Sequence, residues 1–196
     1  MDATPPSRRT LRGLLLGGLV VLALLPAALW WVGHQATLGV SAATGIPHCE
    51  GTEVTTVDEP ESNLEEAAIP MTDGFVCTLT IKVMNHGDRE VTLSQVTFPV
   101  AGPGAASSFQ ATHIGGVAVV AVDHVDAVSD IASSLEPGAE QLPDLRVAFR
   151  ESGCTSEGAF QWVAPTIEVQ DLLATHDLTI ADLPRFLGTA DSSCDT

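Results

Sequence analysis

Phe75, Cys77, Leu79, Ile81 and Val83 occupy alternate positions of one stretch, separated by Thr78, Thr80 and Lys82, with Val76 and Met84 on the same outward set. A period of two residues is the signature of a half-buried β-strand, because successive side chains point to opposite faces. Lys82 is the single positive charge on the outward face. Asn85-His86-Gly87-Asp88 follows, residues that tolerate positive φ or bond their own backbone, and a second β-rich run over 91–98 ends at Pro99. The stretch 75–99 is therefore expected to be a β-hairpin.

Further β runs surround it. Residues 53–57 read as a first strand, 116–122 as a central strand covered on both faces, and 145–149, 160–162 and 166–169 as later strands. Between Asp123 and Leu135, Val125, Val128, Ile131 and Leu135 recur at helical spacing, and Pro137-Gly138 stands as a stop, so a short helix is expected there. A second short helix is expected over 180–186. Residues 58–73 hold six acids and two prolines and read as a loop, with one helical turn at Leu64-Glu65-Glu66-Ala67-Ala68. The expected fold is all-β, a sandwich of about seven strands with one or two short helices.

Ahead of this region lies a run over 14–32 without a charge, long enough to span a bilayer as one transmembrane helix. Arg8, Arg9 and Arg12 precede it and place the N-terminus in the cytoplasm by the positive-inside rule, while Trp30 and Trp31 stand where an aromatic belt meets the outer interface. The organisation expected is a cytoplasmic basic N-terminus (1–12), a transmembrane signal-anchor (13–33), a flexible Ala/Thr/Ser/Gly stalk (34–48) and an extracytoplasmic β domain (49–196). Two rival readings concern this segment. Val40-Ser41-Ala42 is a small-residue cleavage site and Pro26 can end a shorter leader core; Ser7-Arg8-Arg9-Thr10-Leu11 resembles the start of a twin-arginine export signal.

The four cysteines, Cys49, Cys77, Cys154 and Cys194, all lie beyond the apolar run, and an even number in an exported region implies two disulfides. Three pairings are open; the shorter loops favour Cys49 with Cys77 and Cys154 with Cys194. Beyond Ala43 there are 24 acidic residues against five basic ones. Such a surface repels phosphate backbones and anionic headgroups, so a nucleic-acid partner is excluded and solubility or cationic partners fit better.

Motifs for chemistry are missing. There is no G-x-S-x-G, no S-x-x-K and no glycine-rich phosphate loop before the single lysine. The closest approaches to a metal set are Met84 with His86, soft ligands suited to copper, and Asp123, His124 and Asp126; neither has the spacing of a known site, and no cofactor is expected. Trp162, alternating with Phe160, reads as a core residue rather than a sugar-stacking platform. The reading is a non-enzymatic, single-pass, envelope-located module for interaction or structural roles, with a protein partner; the alternative is a copper, calcium or small-ligand binder.

The strand ending in Asn85-His86-Gly87-Asp88, the β run after it, and Leu135-Glu136-Pro137-Gly138 ahead of the 145–149 strand form a pattern that resembles the bacterial surface Ig-like domains. Cys154 just after that late strand makes the chain similar to small, membrane-anchored secreted proteins of actinobacteria with no assigned function. The resemblance covers residues 77–169 and implies an Ig-like β-sandwich at the cell surface. The chain has no tyrosine, so it lacks the tyrosine corner of antibody-type domains.

Overall fold

The computed structural model describes residues 8–58, 65–122, 125–153, 159, 160 and 162–192, with side chains described from Leu22 onward except at 23, 58, 65, 121, 122, 159 and 160. Among these residues the chain forms one helix, α1 (Arg8–Leu38), then β1 (Val40–Thr44), β2 (His48–Glu50), β3 (Thr55–Asp58), β4 (Glu65–Pro70), β5 (Val76–Asn85), β6 (Val91–Phe98), β7 (Phe109–Ile114), β8 (Val117–Ala118), β9 (Val120–Val122), β10 (Asp126–Leu135), β11 (Glu140–Gln141), β12 (Asp144–Phe149), β13 (Ala159–Phe160), β14 (Thr166–Asp171), β15 (Ala174–Thr179) and β16 (Arg185–Leu187).

The expected alternation of β5 is complete: Cys77, Leu79, Ile81 and Val83 are fully buried, as is Phe75 just before it. This strand is the axis of a seven-stranded sheet. Along one side run β1 and then β2, whose registers differ by one residue (Thr44 opposite Ile81, His48 opposite Thr78), so they are one interrupted strand with a single extra residue. Along the other side run β11 and β12 in one unbroken register, Gln141 opposite Val83 and Asp144 opposite Thr80, with the amide of Ile81 donating to the Pro143 carbonyl at 2.8 Å. Two long strands thus account for four of the sixteen described strand segments; the expected number was about seven. Outward, β12 pairs with β7, and β7 with β8.

A five-stranded sheet, β15-β14-β6-β10-β9, provides the second layer. Inward residues of both sheets, such as Leu79, Ile81 and Leu145 from the first and Leu93, Val96 and Ile167 from the second, join one core, which gives a sandwich-like all-β architecture. A smaller sheet, β13-β16-β4-β3, closes one end with a parallel β16–β4 pair. It contributes Phe186, whose ring stacks on Phe109 at 4.3 Å while Trp162 meets Phe109, Phe98 and Phe186 edge-on at 5.0–5.4 Å. Trp162 is thus a core residue, as expected, and its Nε1 donates to the Pro184 carbonyl at 3.0 Å.

Several expectations are corrected. Strands β5 and β6 do not pair: they belong to different sheets, and the Asn85-His86-Gly87-Asp88 turn carries the chain across the sandwich. Both strands bury a complete apolar face, Val91, Leu93, Val96 and Phe98 on β6, and facing layers satisfy both faces better than one ladder would. The stretch 116–122 is split between two sheet edges, β8 and β9, and Val117 and Val120 are exposed rather than covered.

The helix expected up to Leu135 is strand β10. Its inward positions are the small Ala127 and Ser129, with Leu135 at the end, and a bulge between Asp130 and Ser133, where Ala132 takes φ 38°, shifts the register. Of the helical turn expected at 64–68, Leu64 lies outside the described residues and 65–68 belong to strand β4, held between β3 and β16; pairing overrides the helix preference of Glu and Ala. No helix forms over 180–186, since residues 180–182 bridge to β1 through the Ala181 amide and carbonyl and Pro184 precedes β16.

The stalk expected over 34–48 is also corrected. Helix α1 continues to Leu38, Gly39 turns the chain, and β1 and β2 enter the main sheet, with Ala36, Thr37, Val40 and Ala42 buried. Small side chains there permit close packing rather than flexibility. Helix α1 runs on through Pro26 and past the expected end of the span, and its last turns pack on β15 and β14. Among the described residues no helix is long and apolar enough to cross a membrane.

Candidate functional site

Two regions concentrate unusual features. One is where α1 meets the domain. Gly33 is buried, and a Cβ there would overlap the carbonyl oxygen of Asp171 and lie 3.1 Å from its carbonyl carbon and 3.2 Å from Ala174 Cβ. Only glycine lets the helix approach the β14–β15 turn this closely. Trp30 stacks on His34 at 5.1 Å with nearly parallel rings, and His34 meets His176 of β15 edge-on at 6.3 Å. Further toward the N-terminus the side chains leave the protein: Leu22, Leu24, Leu25, Leu29, Trp30, Trp31 and Val32 are all exposed.

The β14–β15 turn itself consists of Leu172 and Leu173, both more than half exposed (52% and 60%), with Leu172 in the left-handed region at φ 49°. Beside it Arg89 Nε donates to Asp171 Oδ2 at 2.8 Å, an ion pair linking the β5–β6 turn to β14. The hydrogen bond and then the charge of Asp171 raise the Arg89 guanidinium further above its already high range. Asn85 anchors that turn from within: it is fully buried, its amide donates to the carbonyls of Arg89 (2.8 Å) and Leu135 (3.0 Å), and its Oδ1 accepts from the Gly87 amide at 2.9 Å.

The other region is an open groove of about 520 Å³ between the two sheets, lined by Val117, Ile131, Leu142 and Pro143 with the carboxylates Asp130 and Asp144. Both acids are engaged, Asp144 Oδ1 accepting from Thr80 Oγ1 at 2.9 Å and Asp130 Oδ1 from Gln95 Nε2 at 3.1 Å. It is a shallow surface cleft without a nucleophile–base pair.

No protein-family model matches the chain, and neither does any curated protein. Solved structures with a similar course include the GH20 exo-β-N-acetylglucosaminidase of Vibrio harveyi (7% identity, TM-score 0.36, 78% of this chain). BcpA, the major pilin subunit of Bacillus cereus, is similar at 11% identity and TM-score 0.35, over 74% of this chain and 41% of that one. The ASH/PapD-like domain of human CEP192 is similar at 12% identity and TM-score 0.30, over 71% of this chain and 98% of that one. The chain spans about a fifth (19%) of the Vibrio enzyme.

The residues singled out in the sequence are dispersed. Met84 and His86 lie on and just after β5, but His86 is exposed and its Nε2 lies 2.8 Å from Ser41 Oγ. Asp126 Oδ1 accepts from the Val100 amide at 2.9 Å, which fixes a loop; Asp123 and His124 fall outside the described residues. Among the described residues no three His, Cys, Asp or Glu side chains converge. Cys49 and Cys77 form a disulfide between directly opposed residues of β2 and β5; Cys154 and Cys194 lie outside the described residues. Trp30 and Trp31 are exposed on α1, and the side chains of Arg8, Arg9 and Arg12 lie outside the description.

Sequence reasoning passed over Gly33, Arg150 and the Leu172-Leu173 pair, and took Asn85 only as a turn residue. Arg150 is nearly buried, its Nε and Nη1 donate to the carbonyls of Ser107 (3.0 Å) and Pro103 (2.7 Å), and burial lowers its pKa. It ties down the 101–108 loop. Two leucines between β-branched runs, where turn residues belong, were the available signal for the β14–β15 tip.

Proposed function

We propose that the chain is a non-enzymatic, membrane-anchored module with an Ig-like β-sandwich that serves an interaction or structural role on the extracytoplasmic side of a cell envelope. The observation that carries the reading is the division of α1: its last turns are packed on the β domain, whereas Leu22, Leu24, Leu25 and the Trp30-Trp31 pair just before them are exposed. A large exposed apolar surface on a helix needs a non-aqueous neighbour, and a bilayer supplies it along the charge-free run 14–32.

Two further features fit the same compartment. The Cys49–Cys77 disulfide belongs to an oxidising environment, and the strongly acidic domain is kept off anionic headgroups by its own charge. Arg8, Arg9 and Arg12 favour a cytoplasmic N-terminus. The surface left for a protein partner is the groove flanked by Asp130 and Asp144, which favours a basic segment.

The test is cell fractionation with the full chain. It is expected to remain in carbonate-washed membranes, with the acidic domain cleaved by protease added outside intact cells. Release by carbonate, or full protection from that protease, overturns the reading. Affinity capture with the anchored protein then identifies the partner.

A further inference from the structure

We propose that the Leu172-Leu173 tip of the β14–β15 hairpin inserts into the lipid interface beside the anchor and fixes the domain's orientation on the bilayer. The inference rests on the membrane-anchor reading and adds a second lipid contact to it.

Three independent observations lead there. The first is the turn chemistry. Asp171 pairs with Ala174, so the hairpin has a two-residue loop, the type that calls for glycine, asparagine or aspartate. This chain instead places two leucines there, with Leu172 held at φ 49°, where a bulky side chain is disfavoured. Both are largely exposed. Water does not reward the apolar surface, which points to a non-aqueous neighbour, and the strained turn marks the leucine there as more than a turn former.

The second is position. Gly33 brings α1 against the backbone of Asp171 and the side chain of Ala174, the two residues that bracket the tip. Gly33 directly follows the exposed Trp31 and Val32, so the residues bracketing the leucines meet the helix where it passes from its packed turns to its exposed ones. A Trp-rich level is where a helix meets the headgroup region. The apolar surface of the helix and that of the tip are thus neighbouring patches.

The third is charge. Asp171, the acid closest to the tip, is paired with Arg89 across 2.8 Å, which removes its repulsion from headgroups. Asp88 and Glu90 stay exposed on the adjoining turn, so insertion is confined to the two leucines and needs no anionic lipid.

The experiment uses the full chain reconstituted in phosphatidylcholine vesicles. An environment-sensitive fluorescent residue is placed at Leu173 or, as a control, at the exposed Val163, which precedes the other end of β14. Quenching is read with lipids carrying a nitroxide near the headgroup. The probe at 173 is expected to be quenched several-fold more than that at 163 and to be shielded from an aqueous quencher. Leu172→Asn, which suits the turn better, is expected to preserve or raise thermal stability while reducing that lipid quenching by half or more.

Equal quenching at 173 and 163 in protein that floats with the vesicles overturns the tip contact and leaves the anchor standing. Failure to float overturns both. Quenching that appears only after phosphatidylserine is added also overturns the proposal, because charge and not the leucines would then make the contact.

Discussion

Gly33 of the helix and Asp171 of the β14–β15 turn meet backbone to backbone, with no room for a single methyl group between them. The contact joins the one helix among the described residues to the edge of the five-stranded sheet. It turns the helix end and the β domain into a single packed unit.

Gly33→Ala is therefore expected to push the last turns of α1 off β14 and β15. The cost is roughly 1–3 kcal/mol, the usual range for overpacking a close contact, although alanine alone favours helix. Thermal unfolding reads the loss. Hydrogen exchange should rise first over residues 33–40, and a variant as stable and as protected there as the parent would contradict the close contact.

Asn85→Ala removes two amide donors from buried or half-buried carbonyls and the acceptor of the Gly87 amide. A loss of about 2–3 kcal/mol follows from leaving such groups unpaired. Asn85→Asp tests the chemistry, since a carboxylate keeps the acceptor but loses both donors; it should fall close to the alanine variant in a chemical denaturation series.

Replacing both Cys49 and Cys77 by serine opens a loop that spans a sequence separation of 28 residues. Chain entropy predicts a loss of roughly 3–4 kcal/mol, tempered by any structure that the unfolded chain keeps. Peptide mapping without reduction should recover the Cys49–Cys77 link directly, and its absence from protein secreted or exported in an oxidising compartment would count against the pairing.

Lys82→Ala is expected to change stability by less than about 0.5 kcal/mol. Lys82 Nζ lies 2.6 Å from Glu140 Oε2, but the lysine side chain is half exposed, and surface pairs of this kind contribute little. A large loss in low-salt buffer would show that the β5–β11 contact depends on charge rather than on its ladder.

What the sequence made legible was set by the length of each uninterrupted pattern. Phe75 and the inward face of β5 make five apolar residues at strict alternation, and the structure buries all of them. The alternation in β12, Leu145 with Val147, was equally open to view. In β10 the first inward residues are Ala127 and Ser129, which carry little hydrophobic signal, while the less buried Val125 and Val128, with Ile131 and Leu135, fall at helical spacing. Pairing was harder still. Nothing local distinguishes a turn that folds β6 back on β5 from one that sends it to the opposite layer, because the deciding contacts come from β10 and β14. The close packing at Gly33 depends on a residue more than a hundred positions away, and Asn85 looks like any turn residue until Leu135 is brought beside it. The exposed tip at Leu172-Leu173 was hidden for a different reason: apolar residues between strands are ordinarily taken as core.

The position of the Cys49–Cys77 link also governs how the protein bears load. Once the packing at Gly33 gives way, tension along α1 reaches β1 through Gly39, and the five residues of β1 lie lengthwise against β5 from Asn85 to Ile81. Such strands resist sliding together rather than opening one bond at a time. Should they give way, the chain can pay out only as far as Cys49, where the covalent bond to Cys77 holds it to the central strand. A pull that frees the first strand therefore stops there, and the core behind it keeps its shape.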